Sequence, residues 1–243
     1  MRELSALTDE IDAPSTAVTS RHQARPDRRS VRTRQALRDA LARQIEETGD
    51  LSQVTVTRVT GTAGVTRRTF YSHFRDISDL VNSIEEDTLA DITVLVHALA
   101  QTDLDQLQEA IRNFEPCPGA VDILTYFLQR KSYLPALLGD GGDPGFVEKI
   151  KRVVFNTVKD RASEGLHVPL PPQIFEYYLT FAISAEVGVL LRWLSSGMRE
   201  SPHDMACVMT ILMFVRPGDL YGKKIDFSIL GTHDASPSIK EME

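Results

Sequence analysis

Residues 55–74 read TVTRVTGTAGVTRRTFYSHF, and this stretch decides the fold of the N-terminal part of the chain. Thr55 is a residue type that caps helices, and it precedes Val56 and Val59, which are spaced as one face of a short helix. Gly64 then allows the positive φ that a tight turn between two helices needs. The pattern therefore predicts a short helix that ends in a sharp turn.

A second short helix follows this turn. Thr66 is its predicted cap, and Phe70 and Phe74 lie one turn apart, so both rings are expected to point into a core. Arg67 and Arg68 are left on the outer face. A helix with an apolar anchor behind and long polar side chains in front suits the major groove of duplex DNA, which admits a helix and exposes base edges.

The segment before this motif predicts a helix over residues 30–47. Leu37, Leu41 and Ile45 recur at intervals of four and form one apolar stripe. This stripe can pack against the apolar side chains of the two short helices. The result is a three-helix unit with few core residues. From its polar outer face we expect it to bind duplex DNA.

Charge is unevenly distributed along the chain. The whole sequence of 243 residues has a net charge of −7, but Arg21 to Arg75 holds 12 arginines, no lysine and five acidic residues, a net charge of +7. A basic head on an acidic body can bind phosphate locally while the body is repelled. A chance fluctuation of charge is the alternative, since charge asymmetry alone is only suggestive.

Beyond residue 76 the sequence predicts helices and no succession of strands. The predicted fold is all-α, with an N-terminal three-helix helix-turn-helix domain and a larger C-terminal helical domain. Helices are predicted at about 77–101, 104–114, 119–131, 146–164, 173–196 and 202–215, with a loop at 139–145. The predicted divisions are a disordered tail at 1–27, the helix-turn-helix domain at 28–76, the helical domain at 77–228 and a loose tail at 229–243.

Residues 55–74 resemble the DNA-binding domain of TetR-family regulators, whose pattern is roughly T-v-x-x-I-A-x-x-A-G-V-S-x-x-T-F-Y-x-H-F. AGVTRRTFYSHF is the specific part, because the glycine turn, the cap and the aromatic spacing coincide over twelve residues. The resemblance covers about residues 28–84, and the segment WLSSGM is similar to one branch of the family's C-terminal domains. It implies a dimeric, ligand-responsive repressor with a DNA-binding head.

Three positions depart from the family pattern. Thr60 replaces a usual Ala, Gly61 sits inside a helix, and Ile77 replaces a usual Lys that implies a phosphate contact. These departures leave the predicted fold intact but put the affinity for DNA in doubt. The alternative function is therefore a protein-interaction adaptor with the same fold, whose DNA binding is weak or lost.

The predicted DNA-binding residues are Arg29, Arg32, Thr55, Thr66, Arg67, Arg68, Tyr71 and His73. A guanidinium can bond O6 and N7 of guanine together, so Arg67 and Arg68 are expected to read bases. The two threonines are expected to hold phosphates at the helix starts, and the resemblance implies phosphate contacts for the tyrosine and the histidine. Arg29 and Arg32 are expected to follow the DNA backbone or to enter the minor groove.

Each of these assignments has a plainer alternative. Arg68 can be an ordinary solvated surface residue, since helix surfaces are normally charged. Tyr71 can lie partly in the core. His73 can pack around Phe74 without touching DNA.

Residues 174–196, IFEYYLTFAISAEVGVLLRWLSS, are too apolar for a helix with only one buried face. Together with the next helix they predict a four-helix dimer interface. Its predicted residues are Ile183, Val187, Leu190, Leu191, Leu194, Met205, Val208, Met209, Leu212 and Met213. Burial inside a single chain is the alternative. A dimer suits two half-sites about one DNA turn apart, and hence a near-palindromic operator.

The body also predicts a pocket for a small-molecule effector of unidentified chemistry. Its predicted lining is Tyr126, Phe127, Arg130, Tyr133, Phe155, Tyr177 and Tyr178. An aromatic set at helical spacing is also what a plain core looks like, so ordinary core packing is the alternative.

Other classes of function are poorly supported by the sequence. The six histidines show no ligand spacing, and no P-loop, GxGxxG or GxSxG occurs, so we expect no metal, no cofactor and no enzyme activity. No uninterrupted apolar run reaches about 18 residues, so we expect no membrane span. Cys117 and Cys207 lack CxxC spacing, which favours a reducing cytoplasm. Cys117 lies between two prolines, and an exposed redox-sensitive thiol there is a minor alternative.

Overall fold

The computed structural model describes residues 28–113, 115–163 and 171–214, so the predicted tails at 1–27 and 229–243 lie outside the described residues. Those residues form helices and no strand, which confirms the all-α prediction. The helices are α1 (Arg28–Thr48), α2 (Val56–Ala63), α3 (Arg67–Tyr71), α4 (Ile77–Ala100), α5 (Leu104–Asn113), α6 (Ala120–Gln129), α7 (Leu134–Leu138), α8 (Pro144–Ser163), α9 (Pro172–Ser195) and α10 (Pro202–Phe214).

Helices α1, α2 and α3 pack into the predicted three-helix head. Leu37 and Leu41 of α1, Val59 of α2 and Phe70 of α3 are completely buried, and Phe74 is almost so. The two phenyl rings lie 5.9 Å apart between centroids. The predicted packing of the apolar stripe against the two short helices is confirmed.

Local capping explains where α2 and α3 begin and how they are joined. The Thr55 hydroxyl accepts a hydrogen bond from the backbone N–H of Arg58 at 3.4 Å, and the Thr66 hydroxyl accepts one from the N–H of Thr69 at 3.1 Å. Gly64 follows α2 with a φ of 66°, a conformation that side chains with a Cβ rarely adopt. Both predicted caps and the predicted turn are therefore present.

Helix α4 leads from the head into the body, where it packs mainly along α8 and also against α6. The largest completely buried side chains of the body are Phe127, Phe146 and Trp193. They belong to the same apolar cluster as the core of the head. Head and body are therefore joined by a continuous core rather than by a single linker.

The structure differs from the predicted helices in two places. Helix α7 was not predicted, because five residues are too few to show a helical period; most of its side chains, including Leu134 and Leu137, are nevertheless buried. Helix α8 begins at Pro144, inside the predicted loop at 139–145. Proline suits the first position of a helix because it has no N–H to leave unpaired.

Helix α9 is the one helix within the described ranges that is long and apolar enough to cross a membrane by length and composition alone. Glu176, Glu186 and Arg192 interrupt its apolar residues, so it contains no uninterrupted apolar run of about 18 residues. Only 22% of its most apolar window is buried inside the chain. Among the described residues of this helix, Tyr177 and Phe181 are large apolar side chains left exposed.

Candidate nucleic-acid interface

The outer face of α3 carries the two arginines that the sequence singles out. Arg67 and Arg68 are exposed, whereas Phe70 on the opposite side is completely buried. Tyr71 is 58% exposed, with its ring edge-on to Phe70 at 5.6 Å. The head therefore presents two guanidinium groups and a phenol to solvent on one short helix.

Arg67 has a fixed partner on the neighbouring helix. One terminal nitrogen of its guanidinium donates a hydrogen bond to the Thr57 hydroxyl of α2. Sequence analysis did not include Thr57 among the DNA-binding residues. The spacing of α2 was a usable signal, because Thr57 lies beside the apolar stripe of Val56 and Val59 and is left exposed.

The remaining predicted contact residues of the head lie at or near its surface. Thr55 and Thr66 are exposed, and the Thr66 hydroxyl also lies 2.9 Å from that of Thr69. His73 is half-buried, with its ring 6.2 Å from that of Phe74, so it packs against the core while keeping an open edge. The exposed Arg29 and Arg32 lie in the first turns of α1.

The three departures from the family pattern do not alter the outer face of α3. Thr60 is buried, and its hydroxyl donates to the carbonyl of Val56 at 2.8 Å, so its extra oxygen is satisfied. Gly61 is exposed, and a Cβ there would meet open space. Ile77 is half-buried and packs against the core. Its side chain therefore contributes to packing, and at this position the chain lacks the positive charge of the family's lysine.

The residues predicted to line one pocket are divided among separate places. Phe127 belongs to the core and Phe155 packs against a smaller apolar cluster of α9. Tyr177 and Tyr178 of α9 are 75% and 47% exposed. The prediction of one pocket from all seven residues is therefore wrong, because these helices turn their aromatic side chains in different directions.

The other three residues line a cleft of about 480 Å³ between the head and the body. Arg130 lies 3.6 Å from the centre of the Tyr126 ring and pairs with Asp91 at 3.1 Å. Arg38 of α1 pairs with Asp87 of α4. Burial raises the pKa of Tyr126 to about 12, so its hydroxyl stays protonated. The cleft is therefore lined by paired charges that join α4 to α1 and to the end of α6.

A second contact joins the head and the body on the backbone. The N–H of Leu51, in the short 3-10 helix after α1, donates to the carbonyl of Gly141 at 2.8 Å. A Cβ at Gly141 would lie 2.8 Å from the carbonyl oxygen of Gly49, so this close approach requires glycine. The loop at 139–143 is thus seated directly on the turn that follows α1.

The side of α9 that is exposed differs from the side predicted to form the dimer interface. Five of the predicted interface residues are buried inside the chain: Ile183, Val187, Leu190, Leu194 and Met205. Leu191 and Met209 are partly buried against the core, while Val208, Leu212 and Met213 of α10 are exposed. On α9 the exposed apolar side instead carries Tyr177 and Phe181, which are 75% and 67% exposed.

Neither cysteine is in a disulfide. Cys117 is buried, and its backbone N–H donates to the Thr210 hydroxyl at 2.8 Å. Burial raises the pKa of its thiol, which disfavours the reactive thiolate. The alternative of an exposed redox-sensitive Cys117 is therefore wrong.

Comparison with known proteins identifies relatives of both parts of the chain. Residues 115–214 match the TetR-type family described as "Transcriptional regulator C-terminal region". The uncharacterized HTH-type transcriptional regulator YxbF of Bacillus subtilis (strain 168) is 23% identical over 182 residues, which are 74% of this chain and 44% of that protein. The chain thus spans less than half the length of this relative.

Solved structures share the fold. A tetR-family transcriptional regulator from Streptomyces coelicolor is 16% identical with a TM-score of 0.53, over 76% of this chain and 78% of that one. The fatty acid degradation regulator FadR from Bacillus halodurans is 11% identical with a TM-score of 0.53, over 78% and 96%. The chain is therefore similar to TetR-type transcriptional regulators in its C-terminal region and shares their helical fold.

Proposed function

We propose that the chain is a cytoplasmic transcriptional repressor that binds a near-palindromic operator as a homodimer. A small-molecule effector in the body releases it from DNA. The observation that carries this proposal is the outer face of α3, where Arg67 and Arg68 are exposed on a helix anchored by the buried Phe70. Guanidinium groups on a rigid helix suit bidentate bonds to guanine in the major groove.

The proposed dimer rests on the exposed apolar side of α9. Tyr177, Phe181 and Gly188 follow one another along that side, and a Cβ at Gly188 would meet open space. Large exposed aromatic rings are costly in water, and a small residue beside them lets another helix approach closely. Val208 and Leu212, one turn apart on α10, extend the apolar surface available to a second copy. Two copies joined here carry two heads to two half-sites.

The proposed effector response rests on the two contacts between the head and the body. Arg38 of α1 pairs with Asp87 of α4, and Gly141 is bonded to Leu51. An effector that displaces α4 or α6 therefore also displaces α1 and the heads of the dimer. Such an effector must bind the two arrangements with unequal affinity, since equal binding shifts nothing.

The test begins with duplexes selected by the full chain from a random DNA library. Affinity for a selected duplex is then measured by gel shift for the wild type and for the double variant Arg67→Ala, Arg68→Ala. We expect the variant to bind at least about 30-fold more weakly, since each arginine–guanine pair contributes about 1–3 kcal/mol of discrimination.

The matched control is Arg152→Ala, Arg199→Ala, which removes the same charge from exposed positions of the body. We expect it to change affinity by less than about twofold, because exposed charges beyond about 10 Å are largely screened. Equal losses in both double variants would refute the assigned face. Selection of no sequence by the wild type would favour the adaptor function.

A further inference from the structure

We propose that Thr57 is a positioning residue that holds Arg67 in the orientation for reading one guanine in each half-site. The inference rests on the proposed function, because it requires that α3 enters the major groove. It assigns sequence specificity to a contact between two helices of the head and not only to the outer face of α3.

The geometry singles out Arg67 from its neighbour. A terminal nitrogen of Arg67 donates to the Thr57 hydroxyl, ten residues earlier on α2. Within the described part of the chain, no such bond to the Arg68 guanidinium is found. Both Thr57 and Arg67 are exposed, so their bond lies at the surface that would face DNA.

Helix α2 is the firmer support for this side chain. Helix α3 is five residues long and is anchored by the buried Phe70, whereas α2 is eight residues long and is anchored by the buried Val59 and Thr60. A hydroxyl fixed on α2 therefore limits the rotamers of Arg67 before DNA arrives. The entropy cost of ordering the Arg67 side chain is then met on folding and does not weaken DNA binding.

The bond leaves Arg67 able to read a base. A guanidinium has five N–H donors in a rigid fork, and only one is engaged by the hydroxyl. The remaining donors can form the paired bonds to O6 and N7 that distinguish guanine from adenine. Thr57 thus sets the direction of the fork without competing for the guanine acceptors.

The experiment compares Thr57→Val, which keeps the shape and removes the acceptor, with Thr57→Ser, which keeps the acceptor. The probes are a duplex selected by the wild-type full chain and a set in which each guanine is replaced in turn by adenine. We expect Thr57→Val to lose about 3- to 10-fold discrimination at one guanine per half-site, the size expected for one hydrogen bond.

Three further readouts separate positioning from other roles. Arg67→Ala is expected to lose discrimination at the same guanine, and Thr57→Ser to retain it. Thr60→Val makes the same chemical change on the buried side of α2 and is expected to leave base preference unaltered.

The outcomes distinguish this inference from the function on which it rests. Unchanged discrimination in Thr57→Val, with a loss in Arg67→Ala, overturns the positioning role and leaves the proposed function standing. A loss of affinity that is uniform across the set of duplexes also overturns it, since Thr57 then supports a contact that carries no sequence information. No effect of Arg67→Ala at any position overturns the inference together with the assigned groove face.

Discussion

Helices α3 and α9 differ in the polarity of their exposed faces. On α3 the inner face is apolar and the outer face is polar: Phe70 is completely buried, while Arg67 and Arg68 are exposed. On α9 both faces are apolar, since Ile183 is buried within the chain and Phe181 is 67% exposed. On α3 the chain buries the apolar face, whereas on α9 it leaves one apolar face exposed.

This difference separates two kinds of exposed surface. Exposed arginines are stable in water, so under the proposed function the outer face of α3 is covered only while DNA is bound. Exposure of aromatic rings to water is unfavourable, so we expect the outer face of α9 to be covered permanently. We therefore expect mutations on the outer face of α3 to act on DNA binding, and mutations on the outer face of α9 to act on dimer assembly.

The largest expected effect tests the inner face of α3. Phe70→Ala should lower the free energy of unfolding by about 3–5 kcal/mol, because it removes a completely buried ring from a small core. Tyr71→Ala, on the exposed side, should lower it by less than about 1 kcal/mol. Urea denaturation followed by circular dichroism measures both, and equal losses would contradict the described orientation of α3.

The next effect tests the outer face of α9. Phe181→Glu should weaken the proposed dimer by about 2 kcal/mol or more, because it would replace an aromatic ring in the proposed contact with a charge. Sedimentation equilibrium should record a shift towards monomer at a concentration where the wild type is dimeric. Arg152→Glu, an exposed change on α8, is the control. An unshifted Phe181→Glu would place the dimer contact elsewhere.

A smaller effect concerns pH and the partly buried Glu186 of α9. Burial raises the pKa of its carboxyl from 4.5 to about 7. The folded state therefore keeps a proton that the unfolded state releases, so stability falls as the pH rises from about 4.5 to 7. Allowing for solvent screening, the loss is about 1–2 kcal/mol.

Glu186→Gln removes this titration and should flatten the fall. Urea midpoints at pH 5 and pH 7.5 for the wild type and the variant provide the measurement. Because other carboxyls titrate in the same range, the informative quantity is the difference between the two proteins. A wild type and a variant with parallel pH profiles would contradict the buried carboxyl.

The smallest effect distinguishes two glycines of the head. Gly61→Ala should stabilise the chain by about 0.5–1 kcal/mol, since the new methyl meets open space in a helix. Gly64→Ala should destabilise it by about 1 kcal/mol or more, because φ is 66° there. Thermal unfolding should move in opposite directions in the two variants, and a common direction would contradict the described turn.

The same contrast explains which features were predictable from the sequence. In the head, Thr55, Gly64, Thr66 and Phe70 carry local signals for cap, turn and anchor, and the structure has each of them in place. Local chemistry was sufficient because polar and apolar positions alternate at the helical period. The Thr57–Arg67 bond was missed because it depends on how α2 and α3 cross.

In the body, the sequence predicted the long helices but not their orientation. The side of α9 that faces inward could not be inferred, because Ile183 and Phe181 look alike in a helix that is apolar all round. The predicted pocket failed for the same reason, since Phe127 and Tyr177 are both aromatic but lie in core and solvent. The contact between Gly141 and Leu51 joins distant segments and leaves no local pattern.

The central claim is that the arginines of α3 bond guanine N7 in the major groove. It is tested most directly by replacing the guanines of a selected duplex with 7-deazaguanine, which lacks that acceptor. We expect wild-type affinity to fall at one or two positions per half-site, and the double variant Arg67→Ala, Arg68→Ala to be insensitive to the same replacements. An equal fall in affinity for both proteins would contradict it.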